Sequence, residues 1–310
     1  MRNMRLWISF GRISARPIWT QPCGSTQTAA GALEGFSLLK SRVISASILI
    51  LFIIAIVAFN DLFPLALNLA VAAVSVMGVI EIVKALGLSS KVVLLTPSLV
   101  FAAAIPFLPG SWHTFAYYVY TVVIFASLIL YHDSVTFRET GMIYSMTMLI
   151  PSTLGSLLSV RELGGEHGMF YVIVAVFAAW ISDAGAFIAG SLWGRHKLCP
   201  SISPKKTVEG LVGGFVLNAL AMVVFGFVYQ WICGGQVKIS YLSLALIGLV
   251  GAGLSVVGDL SFSLIKRTCH IKDFSNILPG HGGILDRFDS VIFVAPFVYF
   301  LVQILPITPV

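Results

Sequence analysis

Residues 242–262 read LSLALIGLVGAGLSVVGDLSF, twenty-one residues with a single charge, Asp259. The hydrocarbon core of a bilayer takes about 20 apolar residues of α-helix. This stretch therefore predicts a helix that crosses a membrane. Eight further runs of the same kind lie at about 43–60, 62–83, 92–108, 115–131, 142–160, 169–192, 211–232 and 290–306. Asn60 and Asp61 mark the turn between the first two. Pro97 and Pro106 fall within and at the end of the third, where neighbouring helices can satisfy the carbonyls that proline leaves free. The predicted fold is an all-α polytopic membrane protein with about nine transmembrane helices.

Composition agrees. Of 310 residues, 58% are hydrophobic and 10% charged, where a soluble domain carries about a quarter charged. The placement of the charges then sets orientation. With nine spans and the N-terminus cytoplasmic, 17 of the 19 bases fall in cytoplasmic segments, and only Arg161 and Lys238 fall outside. That predicts the C-terminus on the outer side. The organisation read from this is a flexible basic cytoplasmic tail at 1–42, N-terminal transmembrane helices at 43–160 and a C-terminal transmembrane catalytic region at 161–310.

The four cysteines, at 23, 199, 233 and 269, are scattered, with no CxxC pair and no histidine at metal-ligand spacing. A disulfide framework or a zinc site is not expected. Glu81 and Asp133, near span ends, read as solvated or paired.

Two long polar cytoplasmic segments stand out, 193–210 and 263–289. Each abuts a span carrying an acid, Asp183 and Asp259 respectively. A carboxylate facing lipid costs about 2.5–3.5 kcal/mol on insertion scales, so Asp259 must face a polar cavity, a cation or a metal. If its helix continues, Asp259, Ser263, Lys266 and Arg267 share one face at i, i+4, i+7 and i+8. At the far end Asp286 and Asp289 flank Arg287. Between them lie Lys272-Asp273 and Pro279-Gly280-His281-Gly282-Gly283. Three glycines around a histidine make a loop whose backbone can approach a ligand and cradle phosphate oxygens.

Separated carboxylates without thiols suit Mg²⁺, a hard cation often shared with substrate phosphates. Neighbouring Lys and Arg suit the phosphates themselves. Together they point to phosphoryl or nucleotidyl transfer on a lipid at the membrane surface. Taken one at a time, these residues have blander readings. A basic loop beside a membrane commonly reports topology alone, an acid at a span end can be a cap, and a lone histidine is commonly structural.

The residues also carry a resemblance. Ser263-Leu-Ile-Lys266-Arg267, then Lys272-Asp273, then Pro279-Gly280-His281-Gly282-Gly283-Ile-Leu-Asp286-Arg287-Phe-Asp289 resembles the signature of phosphatidate cytidylyltransferases, with every signature position filled across 27 residues. Ser182-Asp183 through Gly190, then Gly194-Arg195, Leu198-Cys-Pro200 and Ser203-Pro-Lys-Lys206-Thr207-Val-Glu209-Gly210 resembles the family's other cytoplasmic motif. The likeness covers about 182–289; the early spans match only in hydropathy. Ser191, Val208 and Phe262 depart from common family choices.

The resemblance implies transfer of a cytidylyl group from CTP to phosphatidic acid, with release of pyrophosphate. It implies a metal centre on Asp259 and Asp286, supported by Asp289. Lys266, Arg267 and Arg287 would bind phosphates. Ser203, Lys206, Thr207 and Glu209 would take the nucleotide side, with Asp183 nearby; Ser263, Lys272, His281, Gly282 and Gly283 complete the expected site. The cofactor expected is Mg²⁺, with a second cation left open. The partners expected are CTP, phosphatidic acid and the lipid bilayer, with no nucleic acid; a homodimer is compatible with the reading. The location expected is the inner or plasma membrane, with the site facing the cytoplasm. A related transferase acting on another lipid phosphate, a CTP-dependent lipid kinase and a secondary transporter using Asp183 and Asp259 are the rival readings.

Overall fold

A computed structural model describes residues 51, 55, 56, 62–277 and 282–309. The basic tail, and the first expected span apart from Leu51, Ala55 and Ile56, lie outside the described residues. From residue 62 the chain runs through α1 (Ala66–Ala85), α2 (Val92–Ala104), α3 (Gly110–Leu130), α4 (Phe137–Leu163) and α5 (Gly168–Trp193). A hairpin follows, β1 (Lys197–Cys199) and β2 (Ser203–Thr207), and then α6 (Val208–Ile232), α7 (Tyr241–Thr268) and α8 (Leu285–Ile304). All but α2 of these eight helices are long and apolar enough to cross a membrane. The chain is an all-helical, multi-pass membrane protein; the antiparallel hairpin is its only sheet among the described residues.

The third expected span is shorter than a full crossing. Helix α2 stops at Ala104 and passes into a 3₁₀ turn, Ile105–Phe107. Pro106 lacks the N–H that would continue the α-ladder, and its ring crowds the preceding turn. Three of the other helices start where a capping side chain serves their orphan amides. Thr136 and Glu139 form a reciprocal capping box ahead of α4. The Thr207 and Ser240 hydroxyls cap α6 and α7. At its other end α7 closes with His270 in the left-handed region, φ 57°. Ile271 N then donates to Lys266 O at 3.0 Å and His270 N to Arg267 O at 3.1 Å, so the last carbonyls are satisfied.

Side chains such as Trp112, Phe115, Tyr118, Ile129 and Leu130 on α3 point outward. On a soluble monomer so broad an apolar face would be a liability; in a bilayer it is the lipid-facing surface. Inside, small residues bring backbones together. A Cβ on Gly213 would lie 2.0 Å from Ala189 Cβ, and one on Gly210 would lie 2.6 Å from Ala186 O. Helices α5 and α6 thus touch nearly backbone to backbone, the close approach that small residues allow between membrane helices. Asn218, fully buried on α6, donates to Ala178 O on α5 at 2.8 Å and to Gly248 O on α7 at 2.9 Å. These contacts hold α5, α6 and α7 as one block and fix where Asp183, β2 and Asp259 stand relative to each other.

Candidate active site

Three helix segments and the hairpin converge at one end of the bundle. Asp183 comes from the last third of α5, Asp259 and Lys266 from the last third of α7, and Asp286 and Asp289 from the first turns of α8. The four aspartates line a cavity of about 410 Å³ whose wall also includes Ser203, Lys205, Lys206, Thr207 and Arg287, while Lys266 reaches the site only through its pair with Asp286. Segments 183–210 and 259–289, far apart in the chain, therefore form one site.

The helix-face expectation for α7 holds for three of its four residues. Ser263 Oγ lies 3.4 Å from Asp259 Oδ1. Lys266 is buried and reaches Asp286 Oδ1 at 2.7 Å, with its ammonium 5.4 Å from the centre of the Phe274 ring. Arg267 is exposed and its Nη1 donates to Ile271 O at 3.4 Å. A step of eight residues on a 3.6-residue helix drifts about 80°, enough to swing Arg267 off that face.

Each carboxylate has a different set of partners. Asp286 Oδ2 accepts from Phe274 N and Gly283 N, both at 2.9 Å, while Oδ1 takes Lys266. It joins Phe274 and Gly283 to Lys266 on α7. Asp259 and the Lys206 ammonium form an ion pair. Asp183 accepts from Ser255 Oγ at 3.1 Å and Ser290 Oγ at 2.9 Å. Asp289 accepts from Ser290 N at 2.7 Å. Neither Asp183 nor Asp289 has a basic ion-pair partner among the described residues.

The second motif supplies structure as well as charge. Thr207 Oγ1 accepts from Gly210 N at 3.1 Å. A Cβ at Gly190 or Gly194 would stand 2.9 Å or 2.8 Å from that same oxygen. Glu209 accepts from Arg195 N at 3.0 Å and from His196 Nδ1 at 2.6 Å. It ties the base of the hairpin rather than lining the cavity. Lys272 is exposed and borders a separate hollow with Glu81 and Lys84. Gly282 has φ +84°, and a Cβ there would meet Asp286 Oδ2 at 2.9 Å. His281 lies outside the described residues.

Sequence reasoning passes over three participants. Ser255 and Ser290 look like ordinary small residues inside spans. Glu81, read as solvated or paired, is buried on α1 and accepts from Ser275 Oγ, Ile284 N and Leu285 N at 2.6, 2.9 and 2.8 Å. Its i+4 and i−4 neighbours on α1 gave no signal, because its partners lie about 200 residues away.

The donors around the cavity are carboxylate and hydroxyl oxygens, with no thiol or imidazole among the described lining residues. By donor type that set suits a hard divalent cation, and among the described residues no three of these acids stand together as a preformed metal cluster. Arg287 Nε is buried and has no hydrogen-bond partner among the described residues. With the Lys206 ammonium it offers donors that a phosphate could accept from.

A sequence profile of the cytidylyltransferase family matches residues 40–305. Among curated proteins, the chain is similar to the phosphatidate cytidylyltransferase of Bacillus subtilis (strain 168), 40% identical over 176 residues, which is 57% of this chain and 63% of that protein. It is similar to the phosphatidate cytidylyltransferase of Staphylococcus haemolyticus (strain JCSC1435), 40% identical over 131 residues, 42% of this chain and 48% of that one. A third likeness is to the phosphatidate cytidylyltransferase of Haemophilus influenzae (strain ATCC 51907 / DSM 11121 / KW20 / Rd), 32% identical over 160 residues, 50% and 54% of the two chains. The chain thus spans less than two thirds of the length of these relatives.

Proposed function

The chain belongs to the cytidylyltransferase family, and on that premise we propose that it transfers a cytidylyl group from CTP to phosphatidic acid, giving CDP-diacylglycerol and pyrophosphate. The observation that carries the reading is the single cavity on which Asp183, Asp259, Asp286 and Asp289 meet Lys206 and Arg287. The relatives' printed names supply the substrate class.

The charge inventory suits this reaction. Phosphatidate is a phosphomonoester whose second pKa is near 6, so at neutral pH it is largely dianionic. Its oxygen arrives deprotonated and needs no strong general base. In the step, a phosphatidate oxygen forms a bond to the α-phosphorus of CTP, and the bond from that phosphorus to the α,β-bridging oxygen breaks. Pyrophosphate leaves with the electron pair, and no proton is transferred. The barrier lies in bringing two anions together, and fixed positive charge offsets it. Arg287 and Lys206 line the cavity and would bind the phosphates. Lys266, paired to Asp286, ties α7 to the aspartate that collects the Phe274 and Gly283 amides.

Asp259 and Asp286 would hold a divalent cation, Mg²⁺ in this reading, with Asp289 and Asp183 beside them. Bound there, it would supply neutralisation of the triphosphate and polarisation of the α-phosphate. A carboxylate offers about four lone-pair sites, so Asp286 retains one beyond its three donors. The site lies at the bundle end that carries Lys84, the hairpin lysines and Lys266, where the basic residues gather. That supports a cytoplasmic site.

The test is direct. Protein purified in detergent is given CTP, Mg²⁺ and phosphatidate. Folded protein that releases neither pyrophosphate nor CDP-lipid would sink the proposal.

A further inference from the structure

Glu81 sits on α1, in the part of the chain whose resemblance to the family is one of hydropathy alone. Its carboxylate is 2% exposed and has no basic partner among the described residues. It accepts instead from Ser275 Oγ at 2.6 Å and from the amides of Ile284 and Leu285 at 2.9 and 2.8 Å. Those two amides are the first of α8, the helix that carries Asp286 and Asp289. An acid at that point satisfies orphan N–H groups and meets the positive end of the helix dipole. Ser275 lies on the other limb of the same loop. One side chain therefore joins Ser275 to the start of α8.

The sequence of the loop is built around this grip. A Cβ at Gly283 would stand 2.6 Å from both Glu81 carboxylate oxygens. Only glycine lets the loop backbone pass so close. Gly283 N in turn donates to Asp286 Oδ2 at 2.9 Å. Glu81 and Asp286 thus hold successive amides of one turn, from opposite sides: Gly283 on Asp286, Ile284 and Leu285 on Glu81.

We propose that Glu81 is a positioning residue for the transfer reaction, setting where the first turn of α8 places Asp286, Arg287 and Asp289. The inference rests on the functional reading above. It gives the N-terminal helices a part in the site beyond anchoring the chain. Displacing reacting groups by about 1 Å costs about 100-fold in rate, and loss of a supporting partner behind a metal ligand costs about 10- to 100-fold.

The test uses the full chain in detergent with Glu81→Gln, which keeps size but turns an acceptor into a donor facing an N–H. The expected result has three parts. Turnover number falls about 10- to 100-fold while KM for CTP stays near the wild-type value. The Ile284 and Leu285 amides exchange hydrogen faster. The thermal unfolding midpoint moves by less than about 4 °C. Should Glu81→Gln unfold, Gly283→Ala, which keeps the acid and crowds it, is expected to give the same pattern. Wild-type turnover, or a turnover loss matched by general destabilisation and exchange throughout the bundle, overturns the proposal. If the wild-type chain makes no CDP-lipid at all, the functional reading fails, while the exchange measurement still decides whether Glu81 holds the turn.

Discussion

The Lys266 ammonium lies 2.7 Å from Asp286 Oδ1, with side chains only 10% and 4% exposed. The pair joins the end of α7 to the start of α8, and the same aspartate collects the amides of Phe274 and Gly283. Removing one partner of a buried pair leaves an uncompensated charge, at about 3–5 kcal/mol. Lys266→Ala is therefore expected to lower the unfolding midpoint and abolish turnover together. A Lys266→Ala protein as stable as the wild type would show that the pair does not hold this junction.

Asp286→Asn separates two tasks. The amide nitrogen that replaces one oxygen would face either Lys266 or the two loop N–H groups, donor against donor. Turnover should vanish, and the Phe274 and Gly283 amides should exchange faster. If Asp286 also holds a divalent cation, any residual activity should need more of it for half-maximal rate. An unchanged metal requirement would leave Asp286 as a loop clip alone.

The contrast between these acids marks what the sequence discloses. The alignment of Asp259, Ser263 and Lys266 along α7 is legible because helical spacing is local. That Asp183 and Lys206 join them is legible only through family resemblance, since nothing in the sequence between Asp183 and the start of α7 fixes a distance to that helix. The task of Asp286 is hidden, because a sequence shows an acid but not that its oxygens are taken by Phe274 and Gly283. Glu81 is hidden further, since its partners are 194 to 204 residues away. The strand Ser203–Thr207 also goes unread. Pro204 argues against a strand, yet in a two-stranded ribbon every strand is an edge and proline is tolerated there.

Gly258 tests how closely α8 must lie on α7. A Cβ there would stand 2.7 Å from Asp289 O and 3.1 Å from Ser290 Cα. Gly258→Ala must push the two helices apart beside Asp259 and Asp289, an overpacking that costs about 1–3 kcal/mol. Activity should fall at least about tenfold, in line with the sensitivity of rates to small displacements. Gly253→Ala, whose Cβ would meet only Phe215 Cζ at an ordinary 3.4 Å, should keep full activity and stability. Equal behaviour of the two variants would show that the close approach at Gly258 is dispensable.

Thr207 holds the hairpin to α6. Its hydroxyl caps that helix through Gly210 N at 3.1 Å and faces the cavity beside Lys206. Thr207→Ala should cost about 1 kcal/mol of stability, the usual loss of an N-cap, and raise KM for CTP as β2 loosens. Thr207→Ser keeps the oxygen and should stay close to wild type on both measures. A Thr207→Ala protein that matches Thr207→Ser would remove the cap from the account.

Cation binding can be read without turnover. Asp183 and Asp289 share the cavity with Asp259 and have serine donors but no basic ion-pair partner among the described residues. A cation that binds the folded state alone adds about 2.7 kcal/mol at a hundred times its dissociation constant. Mg²⁺ should therefore raise the unfolding midpoint of the wild-type chain in detergent, and chelation should reverse the shift and stop pyrophosphate release. Asp259→Asn should lose most of the shift, because it removes one negative charge and one oxygen donor from the set. A midpoint that ignores Mg²⁺ in the wild type, or that rises equally in Asp259→Asn, would place the cation on the substrate phosphates rather than on these aspartates.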